Sequence, residues 1–275
     1  MCIRDSVEVV LGAVFLLITC VQLLSEGSNL PVAVPSFGGD NPLRMEHLTG
    51  MARLILDPNF NLIAVTIYHL ILICFLFTFV LIQFENLKIP FRVWFCGIIL
   101  GLAVPILFPV VHLVPYLQNT GAGFSATHFS LSQLLLMLIG GGVGYAFGSL
   151  FLLWKRYEPE HSSVFQPSFI TQEIAAFSVI GLYLGWQSVI SIGIISTLAM
   201  LLINVCGSSQ RFLKSAGCIF YGTLVHLVLG RKTGSYDYWP SANVDWLVIL
   251  AAGAVLAGLT LAVTQSKNAL LKSRS

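Results

Sequence analysis

Few residues of this chain could do acid–base chemistry, and two of them lie at the ends of apolar segments. Glu85 closes the second apolar segment, two residues after Gln83, and Glu173 opens the fifth. Both fall near the same predicted membrane boundary. Two carboxylates that meet at such a boundary share a proton, so that one activates water while the other donates. The alternative is that each only anchors a helix end, and a negative charge at Glu173 suits the N-terminus of the helix that follows.

Three histidines also lie within or near apolar segments, and they are His69, His112 and His226. No HExxH, GxSxG or glycine-rich phosphate loop accompanies them, and dispersed histidines on apolar faces are more often hydrogen-bonded packing residues than ligands. The six cysteines form no CxxC pair, and most of them sit inside apolar runs, as small buried hydrophobic residues do. We therefore expect no metal, no cofactor and no disulfide framework.

These polar side chains belong to a chain of very apolar composition. Of its 275 residues, 56% are hydrophobic and only 9% are charged, whereas a soluble domain carries about 25% charged residues. So few charges cannot cover a soluble globule, and a net charge of +2 attracts no polyanion. The composition excludes a soluble enzyme, a disordered protein and a nucleic-acid binder, and it predicts a polytopic membrane protein.

Hydropathy predicts an all-α membrane helix bundle with about eight transmembrane helices, since a bilayer core of about 30 Å needs roughly 20 apolar residues per helix. The apolar stretch Ile174–Cys206 is too long for one helix, and Gly185-Trp186-Gln187 inside it predicts a division into two short spans. The other predicted spans are Val7–Leu24, Phe60–Phe84, Val93–Val114, Leu131–Trp154, Ser215–Gly230 and Val244–Val263.

Lysine and arginine set the orientation of such a bundle. If the loop after the second span is cytoplasmic, nine basic residues lie inside and four lie outside, leaving aside Arg4 at the start of the chain. The inside set is Lys88, Arg92, Lys155, Arg156, Arg211, Lys214, Lys267, Lys272 and Arg274, and the outside set is Arg44, Arg53, Arg231 and Lys232. The excess favours both termini on the cytoplasmic side.

Gly144 and Gly148 form a GxxxG pair in the fourth span. Small residues at this spacing let two helix backbones approach closely, so we expect the fourth span to pack tightly against a neighbouring helix. A substrate groove lined by these glycines is the alternative.

Several segments, in order and at matching spacing, carry a resemblance to a known family. The most specific is the segment Ile180-Gly-Leu-Tyr-Leu-Gly-Trp-Gln187. The others are Val7-Glu8 with Gly12 and Phe15 in the first span, Ile89-Pro90 with Arg92 and Gly97 after the second, and Gly141–Trp154 in the fourth. Over residues 7–206 the chain resembles a divergent member of the prepilin peptidase (type IV leader peptidase) family of membrane aspartic endopeptidases. In that family the segment that corresponds to residues 180–187 reads LGAWLGWQ.

The resemblance implies a reaction, a location and partners. Prepilin peptidases cleave the leader peptide from prepilins at the cytoplasmic face of the bacterial inner membrane, in type IV pilus and type II secretion systems. The expected partners are a prepilin or pseudopilin leader with its transmembrane helix, the lipid bilayer, and pilus or secretion assembly proteins, with no nucleic acid. Residues 7–206 form the expected membrane domain, residues 207–275 add two further helices and a cytoplasmic tail, and residues 1–6 look like a non-native start.

The catalysis of the family rests on two aspartates, and the resemblance places their positions on Gln83 and Glu173. Gln83 is a neutral amide that cannot act as a base, and Glu173 carries its carboxyl one methylene further out. The glycines that precede the second aspartate fall on Ile170, Thr171 and Gln172. Because the residues of a catalytic dyad act as a unit, we expect a catalytically impaired member, a pseudoenzyme.

Two alternatives stay open. The backbone could unwind near the helix end and turn Glu85 inward, and a Glu85/Glu173 dyad would then make the chain an active aspartic-type endopeptidase. A transporter-like protein unrelated to the family would instead use the glycine-rich spans and His69.

Overall fold

The computed structural model describes residues 3–24, 59–85, 87, 89–112, 131–155, 172–206, 215–234 and 258. Within these ranges the chain is helical apart from short connections, and no strand occurs. The predicted all-α class is confirmed. The helices are α1 (Ile3–Thr19, continued by a π-helical turn over Cys20–Leu24), α2 (Phe60–Phe84), α3 (Phe91–Leu107, followed by a 3-10 turn over Pro109–Val111), α4 (Leu131–Lys155), α5 (Gln172–Cys206) and α6 (Ser215–Gly234).

Among the residues that the structure describes, four helical stretches are long and apolar enough to cross a bilayer. They are Val7–Leu24, Phe60–Phe84, Leu131–Leu150 and Glu173–Ile203, and the shorter α3 and α6 are apolar as well. Long apolar helices of this kind are typical of a membrane protein. The described residues do not reach the predicted count of about eight spans, and the last predicted span, Val244–Val263, lies outside them except for Gly258.

The ends of α2 and α3 follow from local chemistry. Asn59 caps α2, because its side-chain oxygen accepts hydrogen bonds from two backbone amides of the first turn. α3 ends at Leu107, so the predicted span Val93–Val114 is not one continuous helix. Pro109 has no backbone N–H with which to continue the helix, and the chain passes into the 3-10 turn instead.

α5 consists of two helices that meet at Gly185. This residue has φ 80° and ψ 167°, a conformation that essentially only glycine adopts. Contacts along α6 give the direction of each half: Ser215 lies against Glu173, Gly222 against Ile192 and Ser196, and His226 against Ser188. Beyond Gly185 the residues of α5 therefore run back toward the level of Glu173. The predicted division at Gly185-Trp186-Gln187 is the point where the chain reverses, and we call the two halves α5a (172–184) and α5b (186–206).

α4 packs against α5a backbone to backbone. A Cβ added at Gly144 would overlap the carbonyl oxygen of Phe177, and one added at Gly148 would lie 2.5 Å from the Cα of Ile174. Gly140 belongs to the same row and lies one turn before Gly144 in α4. The predicted close packing at the GxxxG pair is confirmed, and it holds α5a firmly in place beside α4.

α2, α3 and α5a meet in the interior of the bundle. Tyr68 of α2 and Tyr183 of α5a stack with their ring centroids 4.4 Å apart. The Tyr68 hydroxyl also donates a hydrogen bond of 2.9 Å to the carbonyl oxygen of Gly101 in α3. These contacts fix α2 relative to α5a, so that the last turn of α2 and the first turn of α5a come together at one end of the bundle.

Candidate functional site

Gln83 occupies the last turn of α2 and is buried. Its side-chain oxygen Oε1 accepts a hydrogen bond of 2.8 Å from the backbone N–H of Ala216, at the start of α6. This contact fixes the orientation of the amide, because only its oxygen can accept from an N–H. Nε2 therefore faces Ser215 and donates a hydrogen bond of 2.8 Å to its Oγ.

Glu173 lies in the first turn of α5a, and only 1% of its surface is exposed. The Ser215 hydroxyl donates a hydrogen bond to Oε1 of Glu173. A hydroxyl has one hydrogen to donate and lone pairs with which to accept, so the same Oγ accepts from the Gln83 amide and donates to Glu173. One serine hydroxyl thus joins the two positions that the resemblance assigns to the catalytic aspartates.

Three helix ends meet at this site. Gln83 lies in the last turn of α2, Glu173 in the first turn of α5a, and Ser215 is the first residue of α6. The first amides of α5a and α6 have no carbonyl partner within their own helices, and these N-termini carry the positive ends of two helix dipoles, which favour a carboxylate. The backbone ends of the two helices therefore help to stabilise the buried Glu173 side chain.

The positions of the family glycines fall at the start of α5a. Gln172 is its first residue and lies within the helix, which needs no glycine. Ile170 and Thr171 lie outside the described residues. Where the family carries glycines before its second aspartate, this chain therefore begins a regular helix one residue before Glu173.

Glu85 does not join the site. It follows the last residue of α2, is exposed, and its backbone N–H bonds to the carbonyl oxygen of Leu81 at 3.1 Å. The chain thus keeps helical hydrogen bonding through Glu85, and positions two apart on a helix do not share a face. The inward turn that a Glu85/Glu173 dyad would need is not made, and α2 presents Gln83 to Glu173 instead.

Ser215 is the functional position that sequence reasoning missed. A signal existed, because a serine directly before an apolar run is typical of a helix start, and the seventh predicted span begins at this residue. The start of the seventh span puts Ser215 at a predicted membrane boundary, as the start of the fifth span does for Glu173. Nothing in the sequence, however, indicates a contact with Gln83, which lies 132 residues earlier in the chain.

A second set of buried polar groups lies at the reversal of α5. The Ser188 hydroxyl donates to the carbonyl oxygen of Leu184 at 2.9 Å, and His226 Nε2 lies 3.1 Å from the same hydroxyl. Gln187 and Ser191 are buried on α5b, and neither their side chains nor Nδ1 of His226 find a hydrogen-bond partner among the described residues. A buried polar group left unpaired costs about 1–3 kcal/mol, so these groups strongly favour a polar partner.

His69, His112 and His226 make no hydrogen bond to one another. The Gln22 side chain, in the π-helical turn after α1, lies 2.9 Å from Nδ1 of His69 in α2. His226 bonds at the reversal of α5, and the ring of His112, buried after the 3-10 turn, meets no hydrogen-bonding group in the part of the chain that the structure describes. Within the same residues no group of three potential metal ligands occurs.

No family model, no curated protein and no solved structure matches the chain. The resemblance to the prepilin peptidases therefore stays a prediction from the sequence. The geometry that bears on function is that of the Gln83–Ser215–Glu173 site.

Proposed function

We propose that the chain is a catalytically impaired relative of the prepilin peptidases, set in the bacterial inner membrane with about eight transmembrane helices and both termini in the cytoplasm. It holds the transmembrane helix of a prepilin or pseudopilin without cleaving the leader, and it acts beside pilus or secretion assembly proteins. The observation that carries the proposal is the Ser215 hydroxyl, which lies between Gln83 and Glu173 and bonds to both.

The chemistry of an aspartic site explains why this hydroxyl matters. Such a site needs two carboxylates that share a proton and activate a water molecule. Gln83 supplies an amide, which cannot take up a proton as a base. The oxygen that bridges the two side chains belongs to Ser215 and is fixed to α6, so a lytic water cannot take the same position.

The binding of a substrate does not depend on that chemistry. A prepilin presents a basic leader at the cytoplasmic boundary and an apolar helix in the bilayer. Glu85 is an exposed carboxylate at the end of α2, next to the buried site, and a negative charge there suits a basic leader. The proposal therefore separates binding, which Glu85 and the apolar helices support, from cleavage, which Gln83 and Ser215 prevent.

Leader cleavage in membranes tests the proposal. The chain is co-expressed with a pilin-like protein from the same genome. The mobility of the pilin on a gel reports whether its leader has been cleaved, and co-purification of the pilin with the chain reports binding. We expect the pilin to co-purify with the natural chain and to keep its leader. Failure of the pilin to co-purify would contradict the binding role.

Restoration of the dyad provides the matched arm of this experiment. The variant Gln83→Asp with Glu173→Asp returns both carboxylates, and Ser215→Ala added to it removes the bridging hydroxyl. We expect cleavage to appear in the triple variant, and to be weaker or missing where Ser215 is kept. Cleavage by the natural chain that disappears in Glu173→Gln would instead identify an active enzyme and overturn the proposal.

A further inference from the structure

The polar groups at the reversal of α5 lie far from the Gln83–Ser215–Glu173 site. Gly185 lies twelve positions after Glu173, which corresponds to about 18 Å of helix at about 1.5 Å per residue. Glu173 lies at the boundary of the apolar segment, and a bilayer core is about 30 Å thick. The reversal therefore lies well away from the membrane boundary at Glu173.

Three polar side chains share one face of α5b directly after the reversal. Gln187 and Ser191 are four residues apart, and Ser188 and Ser191 are three apart, which are the spacings of neighbours on a helix surface. His226 of α6 adjoins this face through Ser188 at 3.1 Å. All four side chains are more than nine-tenths buried, so they form one enclosed polar patch across two helices.

Most of the hydrogen-bonding capacity of this patch is unused within the described residues. Both Oε1 and Nε2 of Gln187, Oγ of Ser191 and Nδ1 of His226 are buried without a partner there. Each of Gln187, Ser191 and the histidine ring can donate or accept. A partner that satisfies them must therefore do both, and because no Asp, Glu, Lys or Arg belongs to the patch, nothing in it favours an ion.

We propose that this patch is a binding site for water and for small neutral molecules that both donate and accept hydrogen bonds. Irregular backbone at membrane depth is tolerated where protein encloses it or where it lines a water-filled cavity, and broken helices form ligand sites near the bilayer midplane in other membrane proteins. Here the irregular residue is Gly185, and Gln187, Ser191 and His226 are the ligand-binding groups. The proposal is independent of the function proposed for Gln83 and Glu173.

The site is tested by alkylation of a thiol with iodoacetamide, which is itself a small neutral amide. Ser191→Cys places the thiol in the patch, and Val189→Cys places one at an equally buried position two residues away, on another face of α5b. Peptide mass spectrometry quantifies each position separately in the full chain in membranes, so the natural cysteines remain. The buried Cys218 serves as the internal control for an intact fold.

We expect the thiol at position 191 to react at least about tenfold faster than the thiol at position 189, because a thiol in dry apolar surroundings has little thiolate with which to react. Relative to free thiol in solution, iodoacetate should react far less than iodoacetamide at position 191. Equal rates at positions 189 and 191, whether slow or fast, would overturn the proposal. It would also be overturned if, relative to free thiol, iodoacetate reacted at position 191 as fast as iodoacetamide.

A second variant tests the role of the amide itself. Gln187→Leu in the Ser191→Cys chain keeps the size of the side chain but removes its hydrogen-bonding atoms. We expect alkylation by iodoacetamide at position 191 to fall severalfold, while Cys218 stays unreactive. An unchanged rate at position 191 would show that Gln187 does not bind the probe and would overturn the assignment of the site.

Discussion

Ser215 is the residue on which the candidate site depends, because its hydroxyl meets the hydrogen-bonding needs of two buried side chains. It accepts from Nε2 of Gln83 and donates to Oε1 of Glu173. Serine is an ordinary residue at the start of a helix. Here, however, its hydroxyl oxygen lies between the side chains of Gln83 and Glu173. At the residue scale, the proposed loss of cleavage therefore depends on one amide and one hydroxyl.

We expect Ser215→Ala to lower the free energy of unfolding by about 1–3 kcal/mol, because it removes a partner from two buried polar groups. The measurement is the thermal unfolding midpoint of the chain in detergent. Ser149→Ala is the matched control, since the Ser149 hydroxyl only donates to the carbonyl oxygen of Tyr145 in its own helix. Equal midpoints for the two variants would contradict the bridging role of Ser215.

At the scale of elements, α4 and the two halves of α5 position the site. α4 offers glycines along one row, and α5a uses that row to approach α4 with its backbone. Gly185 then lets α5b fold back, because only a residue without a Cβ readily takes its conformation. The first turn of α5a, which carries Glu173, is thus held by packing on α4 and by the reversal at its far end.

Gly144→Ala should destabilise the chain, because the new Cβ would overlap the carbonyl oxygen of Phe177. Overpacking of this kind costs about 1–3 kcal/mol. Gly142→Ala in the same helix is the control, since a Cβ there meets nothing within 4 Å, and it should be neutral or stabilising by up to about 1 kcal/mol. Thermal unfolding midpoints of the two variants decide the comparison, and a loss of equal size in both would refute the close packing.

Gly185→Ala should also destabilise the chain, by about 1–3 kcal/mol, because alanine is strained at a φ of this sign. The suitable comparison is Gly12→Ala in α1, where a Cβ meets nothing within 4 Å. Both variants are measured by thermal unfolding in detergent. A midpoint for Gly185→Ala as high as that for Gly12→Ala would argue against the reversal.

At the scale of the whole molecule, the reversal of α5 decides the topology. A single continuous α5 would carry the chain from one side of the membrane to the other. Two antiparallel halves return it to the side from which it entered, so that the start of α5a and the end of α5b face the same compartment. This agrees with the orientation that lysine and arginine favour.

Reporter insertions test that topology. A reporter inserted after residue 160 and one inserted after residue 210 should give the same compartment, because the reversal brings the chain back. A third insertion after residue 120, between α3 and α4, is the control and should report the opposite side. Opposite compartments for the insertions after 160 and 210 would show that α5 crosses the membrane once.

Much of the fold was open to prediction from the sequence. Composition determined the class, because a chain with 9% charged residues cannot cover a soluble surface. The Gly144–Gly148 spacing predicted close helix packing, and Gly185-Trp186-Gln187 predicted the division of the long apolar stretch. These features depend on local patterns and on the lack of a Cβ, which a sequence displays directly.

Tertiary structure alone decided the content of the site. Glu85 and Gln83 are equally near the end of α2 in the sequence, but helix geometry turns Gln83 inward and leaves Glu85 exposed. Ser215 reaches Glu173 across 42 residues of chain and Gln83 across 132. Such contacts arise because three helix ends are brought together by packing elsewhere in the bundle, and residue type and spacing along the chain do not encode that distance.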